Sequence, residues 1–107
     1  MKQDISEYRK FLIQRLGYVR YRAKLSGREL SQRLGCSVAY IAKFEHGDFN
    51  MPSEILLNAI EICGSTPEEY FSENIETYNK AKQLISLYNN LSPESKKTIF
   101  ELIKNLK

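Results

Sequence analysis

The chain of 107 residues has no tryptophan, one histidine, two cysteines and three prolines. Each shortage removes a class of function. A zinc site needs three or four nitrogen or sulfur ligands at close spacing. Cys36 and Cys63 stand far apart with no CxxC pair, and His46 is the sole histidine, so no metal ligands are assigned. Both thiols are expected to be small buried apolar groups in a reducing compartment. His46 has no Ser, Cys or Asp companion at a catalytic spacing, and no glycine-rich phosphate loop occurs. No catalytic residue, no enzyme activity and no cofactor is therefore expected. No run approaches the roughly 18–20 apolar residues that cross a bilayer. Lys2, Gln3 and Asp4 stand where a signal peptide would be turning apolar. The expectation is a cytoplasmic protein with no membrane partner. Valine occurs only at positions 19 and 38, and no segment alternates apolar with polar residues, which argues against strands.

What is present is a 42% hydrophobic content arranged at helical spacing. The length suits one domain with a short appendage. A first helix is expected over Asp4–Lys24, with Ile5, Tyr8, Leu12, Leu16, Val19 and Ala23 on one face. Ser26 with Glu29 three residues on has capping-box spacing and starts a short helix over Gly27–Leu34, burying Leu30 and Leu34. Gly35 ends it. Ser37 is the next expected N-cap, for a third helix over Val38–His46 with Ile41 and Phe44 inward and Gly47 at its end. Phe49 and Met51 lie in the following loop and either fill a core gap or face a partner. Pro52 and Glu54 open a fourth helix that places Ile55, Leu56, Ala59, Ile60 and Cys63 inward and closes at Gly64. Thr66-Pro67-Glu68-Glu69 begins a brief fifth helix that buries Tyr70 and Phe71. A sixth is expected over Asn74–Asn90, with Tyr78, Ala81, Leu84, Ile85 and Tyr88 on a face. A seventh starts at Ser92-Pro93-Glu94, with Ile99, Leu102, Ile103 and Leu106 on a face.

Charge is unevenly spread along the chain. Residues 1–48 hold ten Lys or Arg against five Asp or Glu, while residues 49–107 hold six against eight. A basic N-terminal half suits a polyanion, although an ordinary solvated helix surface has the same look.

The second and third helices, joined by Gly35-Cys36-Ser37, match the helix-turn-helix unit. Ser31 is small where two helices meet, Gly35 permits the turn, and Leu30, Leu34, Ile41 and Phe44 lock the pair. The outward face of the third helix is then free for a major groove. In this region Leu25-Ser26, Glu29-Leu30, Leu34-Gly35, Ser37, Tyr40-Ile41, Lys43, Glu45, Gly47, Pro52, Leu56-Leu57 and Gly64–Phe71 fall in one register. That pattern, over residues 9–71, resembles the Cro/C1-type (XRE family) helix-turn-helix regulators of phages and bacteria. The resemblance implies an all-α fold: a five-helix lambda-repressor-like DNA-binding domain over residues 4–72, followed by two C-terminal amphipathic helices over residues 74–107. It implies Ser37, Val38, Ala39, Tyr40 and Lys43 as base-reading residues. Ser26, Gly27, Arg28, His46 and Asn50 would sit against phosphate, and Arg20 with Glu45 would form a structural pair.

The chain departs from that family at the DNA face. Gly27 replaces a DNA-touching Gln, Val38 and Ala39 stand where Arg or Gln is common, and Asp48 and Phe49 occupy a usually basic loop. Hydrogen-bonded readout then rests on Ser37, Tyr40 and Lys43. Weak binding, shape readout and dimer avidity all remain open. Tyr40 has a second reading as cover for an apolar seam. Lys43, Arg28 and Arg33 have one as solvated charges. The expected partners are double-stranded DNA, read as a palindromic operator, and a second copy bound through residues 74–107, with folding back onto the same chain as the alternative. The expected function is transcriptional regulation, as a repressor of bacterial, phage or mobile-element origin. The alternative is a protein-interaction module of the same fold whose base readout is weakened.

Overall fold

A computed structural model describes the backbone of residues 2–106 and the side chains of residues 7–106. Among them every regular element is helical. The chain divides into two units, residues 1–71 and residues 72–107.

The first unit contains α1 (Lys2–Arg22), α2 (Gly27–Arg33), α3 (Tyr40–His46), α4 (Ser53–Ile62) and α5 (Pro67–Tyr70). α1 stops two residues short of the expected Lys24. Lys24 takes a left-handed conformation at φ 61°, which lets the Leu25 N–H return to the Arg20 carbonyl at 3.1 Å. Ser26 then closes the expected capping box, donating its N–H to Glu29 Oε1 at 2.8 Å and accepting the Glu29 N–H at 3.0 Å. Gly35 ends α2 at φ 74°.

α3 starts two residues later than expected, and Ser37 does not cap it. The Tyr40 N–H donates to the Ser37 carbonyl, so residues 37–39 form a turn ahead of the helix. The capping work passes to Ser31. Its hydroxyl donates to the Gly27 carbonyl at 2.7 Å and accepts the Ile41 N–H at 3.0 Å. One fully buried hydroxyl thus satisfies a first-turn donor of α3 and fastens α2 to it.

Leu16, Val19, Leu30, Ile41, Phe44, Ala59, Ile60 and Tyr70 form the core, with Leu25, Leu56 and Cys63 at its margin. Burial pushes the Cys63 thiol up, which keeps it protonated and unreactive. Cys36 is only half-buried, on the turn after Gly35, where the sequence suggests full burial. Two aromatics expected inside lie outside. Tyr8 is 71% exposed. Phe71 is half exposed because Tyr70 takes the pocket, and it stacks on Phe11 at 6.4 Å. Ile5, expected on the same face of α1 as Tyr8, lies outside the described side chains.

Polar locks tie α5 to α1. The Tyr70 hydroxyl donates to the Leu12 carbonyl at 2.6 Å, and Arg15 donates to the Tyr70 carbonyl at 2.6 Å. Arg22 meets the buried Glu69 carboxylate with two bonds of 2.7 and 3.0 Å. Burial pushes the Tyr70 hydroxyl well above its usual range, so it remains a donor.

The second unit contains α6 (Ile75–Asn89) and α7 (Pro93–Lys104). Asn74 caps α6 by accepting the Thr77 N–H, and Ser92 caps α7 by accepting the Ser95 N–H. Beyond Ile75, none of residues 76–106 is buried. No helix among the described residues is long and apolar enough to cross a membrane.

Candidate nucleic-acid interface

α3 has an inner and an outer face. Ile41 and Phe44 are buried against the core. Ala39, Ala42, Lys43 and His46 follow the i, i+3, i+4, i+7 rule and share the opposite side. Ala42, Lys43 and His46 are exposed and Ala39 is half-buried. Ser37 is exposed on the preceding turn, as is Val38 at 46%.

Tyr40 is half-buried and belongs to the seam between the faces. Its ring lies 4.9 Å from Phe49, and Phe49 lies 5.9 Å from Phe44. Phe49 therefore fills a gap beneath the loop, continuous with the core. Partial burial raises the Tyr40 hydroxyl pKa, so the group stays protonated and able to donate.

Gly47 ends α3 at φ 92°, the left-handed geometry that sends the Asp48 N–H back to the Lys43 carbonyl at 3.0 Å. The same turn sets His46 Nδ1 2.7 Å from Asp48 Oδ1. The Asp48 carboxylate raises the His46 pKa, favouring imidazolium, but it also offsets that charge for any incoming phosphate. Asn50 is held from α1: its Oδ1 accepts from Arg9 Nε at 2.9 Å, and Arg9 also reaches the Gly47 carbonyl. Nothing in the sequence pattern singled out Arg9, because the two residues are 41 positions apart and both are polar.

Arg20 and Glu45 meet in a two-pronged pair, with bonds of 2.9 and 3.0 Å, and Arg20 also donates to the Leu25 carbonyl at 2.9 Å. This geometry fixes the end of α3 against α1 and the α1–α2 turn. Neither group is aimed outward for a ligand.

At the other edge, Ser26 and Glu29 spend their polar atoms mainly on each other, and the Ser26 N–H holds the Glu29 carboxyl below its usual range. Gly27 is half-buried against α3, and a Cβ placed there would meet Ile41 Cγ2 at 3.5 Å, an ordinary contact. Arg28 is exposed. Arg28 and Lys43 have no carboxylate partner among the described residues. Arg28 on α2 and Lys43 on α3 are thus exposed cations outside any ion pair, while Arg20 and Arg22 are consumed in internal pairs. Among the described residues no three His, Cys, Asp or Glu side chains gather into a metal-binding cluster.

The residues that sequence reading passed over are structural. Ser31 was legible as small but not as a bridge, and the Arg22–Glu69 pair spans 47 positions with no periodic signal. Comparison with models of protein families, with curated proteins and with solved structures finds no match.

Proposed function

We propose that the chain is a sequence-specific DNA-binding transcriptional regulator, a repressor of the Cro/C1 type whose first five helices form a lambda-repressor-like domain. One observation carries the reading: α2 and α3 are locked together by Ser31 and the buried Leu30 and Ile41, while the outer side of α3 is uncovered and carries the unpaired Lys43. A single exposed helix on a rigid support is the shape that a major groove admits. Ser37, Val38, Ala39 and Lys43 are the base-facing residues in this reading, with Tyr40 contributing its hydroxyl from the seam. Arg28 supplies phosphate attraction, and Asn50, oriented by Arg9, a phosphate-facing amide.

The protein acts as a homodimer in this proposal. Leu84, Ile85, Leu102 and Ile103 are all more than half exposed, and pairing two copies through α6 and α7 would cover them. A two-fold dimer presents two recognition helices about 34 Å apart, matching a palindromic operator. Sedimentation of the full chain should give a dimer, and Ile85→Lys with Ile103→Lys should give a monomer.

Selection from a random duplex library tests DNA reading directly. The expected winner is palindromic and preferred by about 10³-fold or more over scrambled duplex at physiological salt. A steep salt slope without sequence preference would leave phosphate attraction alone. That outcome would favour the second reading, a protein-interaction module of the same fold. The apolar Val38 and Ala39 and the self-paired His46 and Asp48 are the observations on its side.

A further inference from the structure

The structure assigns to the outer side of α3 and the turn that precedes it a preference for thymine, read through its 5-methyl group by Val38 and Ala42. The inference rests on the DNA-reading role proposed above and names what that face reads. Val38 is 46% exposed and Ala42 is exposed, with the half-buried Ala39 beside them. Val38 and Ala39 on the turn ahead of α3, and Ala42 on its outer side, offer methyl groups and nothing else. Lys43 and His46 follow on the same side, and His46 is already bonded to Asp48.

In the major groove only thymine offers an apolar group, its C5 methyl; the other bases offer acceptors and amino donors. An apolar side chain set against guanine O6 and N7, or against the amino group of cytosine or adenine, strips water from a polar group and returns no hydrogen bond. Set against a thymine methyl it buries apolar surface on both sides. The same three residues therefore favour thymine and disfavour the alternatives. Neither Val38 nor Ala42 is buried in the protein's own core, so both are available for this contact.

Deoxyuridine supplies the test, because it differs from thymidine only by that methyl group. Each thymine of the selected half-site is replaced singly by deoxyuridine, and affinity is measured for the wild type and for Val38→Ala. The wild type should lose roughly fourfold at one or more positions, the factor that about 0.8 kcal/mol per buried methyl corresponds to. At the thymine facing residue 38, V38A should lose less than about twofold on the same replacement, so that side chain and methyl are coupled. Lys43→Gln should bind more weakly yet keep the full discrimination, which guards against a general loss of contact. Thermal unfolding of V38A should match the wild type. A selected operator in which deoxyuridine is tolerated everywhere would overturn the inference and leave DNA reading intact. Equal losses in wild type and V38A at every position would overturn the role of Val38. Failure to select any sequence would remove the DNA-reading proposal and this inference with it.

Discussion

The buried apolar side chains of the first unit, from Leu16 to Tyr70, keep 0–8% of their exposure. In residues 72–107, Leu84, Ile85, Leu102 and Ile103 keep 56–62%. Both units obey the same local rules. Ser26, Thr66, Asn74 and Ser92 each accept a backbone N–H at a helix start, and proline opens both α5 and α7. Capping and periodicity therefore do not separate them. What separates them is closure: the first unit joins its helices by buried apolar contact and by side-chain bonds across 10 to 58 positions, while α6 and α7 have well-formed ends and uncovered faces. Caps decide where helices begin, and tertiary packing supplies most of their stability.

The largest expected effect tests this difference by truncating one apolar side chain in each unit. Phe44→Ala removes a ring that is 2% exposed and should cost about 3–5 kcal/mol. Leu102→Ala, at a side chain 61% exposed, should stay within about 0.5 kcal/mol in the monomer. Denaturant unfolding at low protein concentration compares the two. Equal losses would mean that the second unit is closed as tightly as the first. A Leu102→Ala effect that grows with protein concentration would instead report a self-associated face.

Glu69→Ala comes next. It leaves the Arg22 guanidinium beside an empty site and removes the bond from Ser65. Breaking a buried pair from one side costs about 3–5 kcal/mol. Arg22 retains 35% side-chain exposure and can be partly rehydrated, so about 2–3 kcal/mol is expected here. The double variant Arg22→Met with Glu69→Leu should recover most of it. Thermal unfolding of the three proteins gives the answer, and a double variant no better than Glu69→Ala alone would mean that the pair itself was not the source.

Ser31→Ala is smaller and more local. It leaves the buried Ile41 N–H without its acceptor, at a cost of about 1–3 kcal/mol. Ile41 should also lose amide-exchange protection out of proportion to residues such as Leu30, because its own bond is the one removed. Uniform loss of protection along α3 would show that Ser31 acts only through global stability.

How much of this was legible in the sequence divides along the same line. The capping box at Ser26 and Glu29, the left-handed glycines 35, 47 and 64, and the inward set Leu30, Ile41 and Phe44 all follow from local spacing and lie where that spacing puts them. The start of α3 departs from the local signal because Ser37 has the look of a cap. Its competitor, Ser31, is distant from Ile41 in sequence and wins only once α2 and α3 are packed. Phe71 lies outside because two adjacent aromatics cannot enter one pocket, and composition does not say which one does. Of the candidate face, the family resemblance implied Ser37, Val38 and Lys43 as outward, and all three are exposed. The engagement of His46 by Asp48 and of Asn50 by Arg9 was not, since each depends on the geometry of the turn at Gly47.

The smallest predicted effect concerns that turn. Asp48 raises the His46 pKa above its ordinary 6.5, so the folded chain binds the proton more tightly than the unfolded chain. The sign follows from linkage: the stabilisation is fully present below the unfolded value and is lost as pH rises through the higher folded value. Both side chains are largely exposed, at 83% and 47%, so the change in unfolding midpoint should be slight and should shrink with added salt. The imidazole itself is the sharper probe. Its proton resonances should titrate with a midpoint above 6.5 in the wild type and return toward 6.5 in Asp48→Asn. An unshifted midpoint in the wild type would mean that the 2.7 Å contact does not persist in solution, and His46 would then be free, when protonated, to serve as a phosphate-facing cation.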